Sequence, residues 1–203
     1  MKLAATILAA GKSVRMGNKN KLLLLIKKKP LIEIVCENVM KARLDQIILV
    51  TGYQAKKILK VIPKQINEVV HNHNWDKGMM TSIITGISNL KNNIDGNIII
   101  LGDMPLISTN TIVKLKDEFK DSGGKSIVFP IYQNKQGNPV VFPKTYFTEI
   151  LKYQGDNGCK NILNKYKNNS LGIRLESEEV LVDCDTEDDY LYLKNKNLNN
   201  VEI

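Results

Sequence analysis

Cysteine is scarce and unpaired in this sequence. Cys36, Cys159 and Cys184 are an odd number at wide, irregular spacing with no CxxC pair, which argues against a disulfide framework and a structural zinc site. Long hydrophobic runs are also lacking. The apolar stretch Leu3 to Ala10 leads straight into Gly11, Lys12 and Arg15, and it is too short for a signal-peptide core or a membrane span. A buried strand and a reducing cytoplasm are expected instead, with no membrane partner. Acid is in deficit, and the formal net charge of +8 suits an anionic ligand. Many of the lysines nevertheless fall in scattered Lys/Asn-rich stretches at 27–29, 165–169 and 194–200, which have the look of solvated surface. No nucleic-acid motif accompanies them, so no nucleic-acid partner is expected.

What is present is the composition of a folded globular protein. The 203 residues, 43% hydrophobic and 25% charged, predict one domain spanning 1–203 with a continuous core. Short β-branched runs at Ala4 to Ala9, Gln46 to Thr51, Ile66 to His71, Asn97 to Leu101 and Ser126 to Tyr132 predict strands. Helix-length segments lie between them at Leu31 to Ala42, Ala55 to Ile62, Met80 to Leu90 and Thr111 to Lys120, the last after the caps Ser108 and Thr109. After Gly137 the pattern loosens, with strands expected at Val140 to Phe142, Gly172 to Leu175 and Val180 to Val182, and helices at Tyr146 to Lys152 and Asn161 to Lys167. Alternation of this kind predicts an α/β fold whose mainly parallel sheet is covered on both faces. Ligands then collect at the carboxyl ends of the strands.

The first such end is Leu8-Ala9-Ala10-Gly11-Lys12-Ser13-Val14-Arg15-Met16-Gly17. Small residues let backbone N–H groups approach phosphate oxygens, while Arg15, Lys12 and Lys21 add cationic donors. Neither a dinucleotide-binding G-x-G-x-x-G nor a P-loop order is present. The run, followed by Asn20-Lys21-Leu22-Leu23, resembles the signature loop of the nucleotidyltransferases with a Rossmann-like fold. That resemblance implies a three-layer sandwich of the nucleotide-diphospho-sugar transferase type. It also implies that the loop, from Leu8 through Ser13, wraps the NTP phosphates while Arg15 and Lys21 neutralise the departing pyrophosphate. Lys19 is the alternative for the lysine role, and Lys21 is preferred because Lys-Leu-Leu directly precedes the next apolar stretch.

Gly102-Asp103-Met104-Pro105 follows the strand ending at Leu101, which sets Asp103 at a crevice as a candidate Mg²⁺ ligand, with Gly102 beside the nucleotide. A second acidic run, residues 183–189, reads mostly as a helix start capped by Thr186. Asp185 resembles the metal-facing acid of the D-x-D-T-x-x-D element in the molybdenum cofactor cytidylyltransferase group. Two carboxylates on one Mg²⁺ would hold the α-phosphate and the nucleophile together. His71 and His73, without a third matching ligand, read as loop residues.

Further segments resemble the same group. Asn72 through Ser82 is similar to its N-x-x-W-x-x-G-M-x-x-S, Gly137-Asn138-Pro139-Val140 to its G-[HN]-P-V, and Gly155-Asp156-Asn157-Gly158-Cys159-Lys160 to its G-D-x-G-[AC]-[RK]. Gly78 and Ser82 are thereby expected near base or ribose, with Met79 and Met80 in the core. Gly137, Asn138, Pro139, Gly155 and Asp156 are expected at the acceptor. Residues 1–105 would then form the NTP half and 106–203 the acceptor half. Departures exist: Asn138 replaces a common His, Lys160 a common Arg, and Lys27-Lys28-Lys29-Pro30 a small Gly-x-Pro turn. The resemblance implies CMP transfer from CTP to molybdenum-bearing molybdopterin, with a molybdenum hydroxylase apoenzyme as recipient. The competing readings are a guanylyl or sugar-phosphate nucleotidyltransferase, a non-catalytic nucleotide- or cofactor-binding accessory protein and, on charge alone, a nucleic-acid-binding module.

Overall fold

The apolar runs condense into a mixed, mostly parallel sheet. The structure is a computed structural model and describes all residues except 18, 67, 154, 156, 157 and 200–203. The chain runs β1 (Leu3–Ala9), the short pair β2 (Leu25–Ile26) and β3 (Lys29–Pro30), α1 (Leu31–Lys41), β4 (Gln46–Thr51), α2 (Ala55–Ile58), β5 (Glu68–His71) and α3 (Met79–Ser88). It continues through β6 (Gly96–Leu101), α4 (Thr109–Asp121), β7 (Ile127–Tyr132), β8 (Lys135–Gln136), β9 (Val140–Pro143), α5 (Phe147–Lys152), α6 (Lys160–Lys165), β10 (Ser170–Arg174) and α7 (Glu187–Asn199).

The main sheet has the order β10-β7-β9-β6-β1-β4-β5, with β8 attached to β7. β1 is parallel to both β4 and β6, and Leu8 lies in register with Val50 on one side and Leu101 on the other. This brings the carboxyl ends of three strands to one edge. β9 runs antiparallel to β6 and β7, because the short connection after β7 cannot make the crossover a parallel strand requires.

Alternation along the strands divides the core between the two faces. Leu3, Ala5, Ile7 and Ala9 of β1 join Ile98 and Ile100 of β6 in a cluster that includes Val35, Val39, Ile112 and Leu115 from α1 and α4. Leu8 and Ile99 face the opposite way, towards Met80, Ile83 and Ile87 of α3 and Ile150 and Ile162 of α5 and α6. Close approach of α3 to the sheet depends on Gly86, where a Cβ would lie 2.3 Å from Thr6 Cγ2. Thr6 itself is buried, and its hydroxyl accepts from Asn97 Nδ2 at 2.9 Å.

Two expectations need correction. Val180 to Val182 is not a strand: Ser177 Oγ accepts from Glu179 N at 3.3 Å and starts a 3-10 turn over Glu178–Val180. The chain beyond is held by Cys184 N donating to Asp103 O at 3.1 Å, so its backbone partner is a loop and not a sheet edge. The helix expected over Ala55 to Ile62 is regular only to Ile58 and continues as turns up to Pro63. Among the described residues, no helix is long and apolar enough to cross a membrane.

Candidate functional site

The loop after β1 folds back on itself through Ser13. That residue adopts a left-handed conformation with φ 59°, which costs a non-glycine residue about 1 kcal/mol or more. Its carbonyl accepts from Met16 N at 2.9 Å and its hydroxyl from Lys21 N at 3.2 Å. Asn20 Oδ1 then accepts from Leu22 N at 3.1 Å and opens a 3-10 turn over Lys21–Leu23. Leu22 is buried by that turn, and Lys21 is aimed back beneath the loop.

There it meets the acids. The Lys21 ammonium bonds to both Asp103 and Asp185, and Arg15 Nη1 lies 2.5 Å from Asp185 Oδ2. The two ends of this chain of charges differ in solvation: the Lys21 and Asp103 side chains are 14% and 13% exposed, the Arg15 side chain 71%. Burial pulls the Lys21 pKa down, but the charge and hydrogen bonds of Asp103 and Asp185 outweigh it and hold the ammonium above its ordinary value. Asp183 is pushed up by burial and by the nearby Asp103 and Asp185 charges. One carboxylate oxygen from each of Asp103, Asp183 and Asp185 lies within 4.8 Å of the others. An all-oxygen set of this kind suits a hard divalent cation. Asp185 is braced by Asp189, whose Oδ2 accepts from Asp185 N at 3.1 Å and Thr186 N at 2.7 Å, while Thr186 Oγ1 accepts from Asp189 N at 3.2 Å. The expected Thr186 cap is thus present, in reciprocal form.

Asp103 and Asp185 line a cleft of about 810 Å³. One wall is Leu8, Ala10, Gly11, Lys12, Ser13, Val14 and Arg15, and the facing wall is Trp75, Asp76, Gly78, Met79 and Ser82. A Cβ built on Gly11 would meet nothing within 4 Å, so the protein's own packing does not demand glycine there; its bareness leaves room at the cleft for another molecule.

Of the residues expected at the nucleotide or metal, the structure thus gathers Leu8, Ala10, Gly11, Lys12, Ser13, Arg15, Lys21, Gly78, Ser82, Asp103 and Asp185 in one cleft. Ala9 is turned into the core by strand alternation. Gly102 ties β6 to β1, its N–H donating to Leu8 O at 3.0 Å, and is not among the cleft's lining residues. Lys19 pairs with Glu187 at 3.1 Å on the surface. The segment Gly137-Asn138-Pro139 also lies outside this lining: Gly137 N donates to Pro130 O at 2.8 Å and Asn138 N to Val180 O at 2.9 Å. Gly155 is exposed beside Tyr153, and Asp156 lies outside the described residues. Gly158 of the same segment sits against Met79 and Ile83 of α3.

Sequence reasoning passed over several groups. Met80 is in the core as expected, but Met79 is 48% exposed and lines the cleft. Consecutive helix positions face different ways, and the apolar periodicity of Met80, Ile83 and Ile87 marks which methionine is the buried one. Trp75 and Asp76 also line the cleft, and Tyr53 packs on Trp75 with ring centroids 5.4 Å apart. Asp183, whose part beside Asp185 the sequence leaves open, joins the acidic cluster. His71 and His73 stack edge to face at 4.8 Å and do not line the cleft.

A family model described as MobA-like NTP transferase domain matches residues 5–170. The molybdenum cofactor cytidylyltransferase of Escherichia coli (strain K12) is 23% identical over 191 residues, 94% of each chain. The bifunctional protein GlmU of Acholeplasma laidlawii (strain PG-8A) is 30% identical over 140 residues, which are 68% of this chain but only 30% of that relative's length. Among solved structures, Rv0371c from Mycobacterium tuberculosis H37Rv, in complex with manganese, superposes with a TM-score of 0.81 at 23% identity, covering 96% of this chain and 99% of that one. At that identity the likeness establishes a shared α/β fold.

Proposed function

The chain belongs to the family of MobA-like NTP transferase domains, and from that premise we propose that it transfers CMP from CTP to the terminal phosphate of molybdenum-bearing molybdopterin. A phosphate oxygen of the acceptor attacks the α-phosphorus of CTP, the bond from that phosphorus to the bridging oxygen breaks, and pyrophosphate leaves with the electron pair. The products are a cytosine dinucleotide cofactor and pyrophosphate. The observation that carries this reading is the meeting of Lys21 and Arg15, from the loop after β1, with Asp103 and Asp185 inside one cleft. The likeness to a molybdenum cofactor cytidylyltransferase along 94% of both chains favours CTP and molybdopterin as the substrates.

In this reading the backbone from Ala10 to Ser13 cradles the triphosphate, with Gly11 leaving room for close approach. Lys21 and Arg15 neutralise charge on the departing pyrophosphate. Gly78 and Ser82 take the base or ribose. Asp103 and Asp185, with Asp183 beside them, hold Mg²⁺, which when bound supplies charge neutralisation at phosphate oxygens. Residues 1–105 serve the NTP and 106–203 the acceptor, and a molybdenum hydroxylase apoenzyme receives the product.

The test is pyrophosphate release with each of the four NTPs, Mg²⁺ and the molybdopterin acceptor. CTP is expected to turn over fastest. Equal turnover of GTP removes the cytidylyl assignment and leaves a guanylyl or sugar-phosphate transferase, and binding without pyrophosphate release from any NTP leaves the accessory-protein reading.

A further inference from the structure

Asn72 stands just past β5, anchored by its backbone N–H donating to Thr51 O at 2.8 Å, with its side chain buried against the start of α3. The orientation of its amide is dictated by a backbone group. Asn74 N donates to Oδ1 at 2.9 Å, and an N–H can only donate, so the Asn72 amide nitrogen must face the other way. Its two protons go to Thr81 Oγ1 at 2.8 Å and Ser82 Oγ at 2.9 Å.

The two hydroxyls then differ. Thr81 spends its own proton on the carbonyls of Asn74 and Gly78, both at 2.9 Å. Ser82 Oγ takes the Asn72 proton, and among the described residues Ser82 Oγ donates no hydrogen bond of its own. Ser82 is buried yet lines the cleft. A hydroxyl has one proton and two lone pairs, so an oxygen facing an N–H donor turns its proton away from that donor, and the cleft that Ser82 lines offers that proton room for an acceptor.

We propose that Asn72 is a positioning residue that fixes Ser82 as a hydrogen-bond donor towards the nucleobase. The cleft thereby favours a base that presents a carbonyl oxygen or an unprotonated ring nitrogen at that point and opposes one that presents an N–H. This deepens the nucleotide reading given above and rests on it. Replacing Asn72 by Asp keeps the acceptor for Asn74 N but offers oxygen to Ser82, so the serine proton turns back to position 72 and only lone pairs remain for the base.

The experiment measures, by calorimetry on the full chain with MgCl₂, the affinities for CTP and for ribose 5-triphosphate, and the ratio of the first to the second isolates the contribution of the base. Asn72→Asp should shrink that ratio about tenfold, as loss of one directional hydrogen bond with a repulsive contact in its place requires. Ser82→Ala should shrink it by a similar factor, and Asn72→Asp made in the Ser82→Ala background should change it no further. Should Asn72→Asp fail to fold, Asn72→Ala enters the same cycle, with a smaller loss expected because the serine proton is then unoriented but not reversed. Equal weakening of CTP and ribose 5-triphosphate, or an Asn72 effect that persists without the Ser82 hydroxyl, would overturn the proposal. A wild-type ratio near one would overturn the nucleotide reading of the cleft itself, and the polarity inference with it.

Discussion

The two ends of the cleft are built from different forces. At the acidic end, Arg15, Lys21, Asp103 and Asp185 form a chain of full charges, with one member largely in solvent and two largely out of it. At the other end, Asn72, Thr81 and Ser82 are neutral, and their polarity is set by backbone groups that can only donate or only accept. Coulombic attraction is long-ranged and indifferent to orientation, so the first end suits a polyphosphate and a cation whatever base is attached. Neutral hydrogen bonds act only at close range and in the right direction, so the second end suits discrimination. If the proposed reading holds, group transfer and choice of base are separable, and each can be broken with little effect on the other.

The largest effect is expected at the charged end. Asp103→Asn preserves shape and removes one charge, and turnover measured by pyrophosphate release should fall about 1,000-fold, in line with the several kcal/mol a metal-centred charge contributes to a transition state. The ratio of CTP to ribose 5-triphosphate affinity should stay within about twofold. Unchanged turnover would remove Asp103 from the transfer chemistry and collapse the distinction between the two ends. Lys21→Met comes next, with a loss of about 100-fold in kcat, the scale of one preorganised donor at a departing group. It also leaves Asp103 without its nearest cation. Thermal unfolding without divalent ions should then show destabilisation of about 1–3 kcal/mol, which added MgCl₂ should reduce.

The sequence exposed these two ends unequally. The β1 loop, Lys21 and Asp103 were legible because a strand end, a glycine and a charged residue occur within a few positions of each other, and the parallel strands on either side predict where such ends gather. The nearly continuous apolar run of β1 is likewise what burial on both faces demands. The acidic loop was harder. Val180 to Val182 has strand-like composition, yet the chain there is turned by Ser177 and pinned by the Asp103 carbonyl, a tertiary bond that no local pattern encodes. Asn72 stood out as the first residue of a motif, but its contact was least legible, since its side chain reaches across ten positions to Ser82, and an asparagine after a strand reads equally well as an ordinary turn residue. The Gly137 to Pro139 segment is conspicuous as a motif, but its place relative to the cleft was not legible: the backbone N–H groups of Gly137 and Asn138 bond to Pro130 and Val180, partners that no local pattern encodes.

A third change tests whether the ends are as independent as they look. A Cβ at Gly52 would lie 2.5 Å from Trp75 Cβ and 2.9 Å from Ala10 Cβ, so Gly52→Ala presses on both walls at once. The expected cost in unfolding free energy is about 2 kcal/mol, and binding of both CTP and ribose 5-triphosphate should weaken several-fold. If only the base-dependent ratio falls, the strain is relieved entirely through Trp75 and the wall carrying Ser82 is the softer of the two.

The smallest expected change, in the base-dependent ratio at high salt, gives the sharpest division. Raising salt from about 0.1 M to about 1 M shortens the screening length from about 10 Å to about 3 Å. Arg15 is exposed and Lys12 stands at the same wall, so their attraction for a triphosphate should fade, and the affinity for ribose 5-triphosphate should drop about tenfold. The base-dependent ratio should move by less than about twofold, since a buried hydroxyl donating to a neutral base has no net charge to screen. Calorimetry at the two salt concentrations reads both quantities from the same titrations. A ratio that falls in step with the triphosphate affinity would mean that base recognition also runs through charge, which at that wall would implicate Asp76 rather than Ser82.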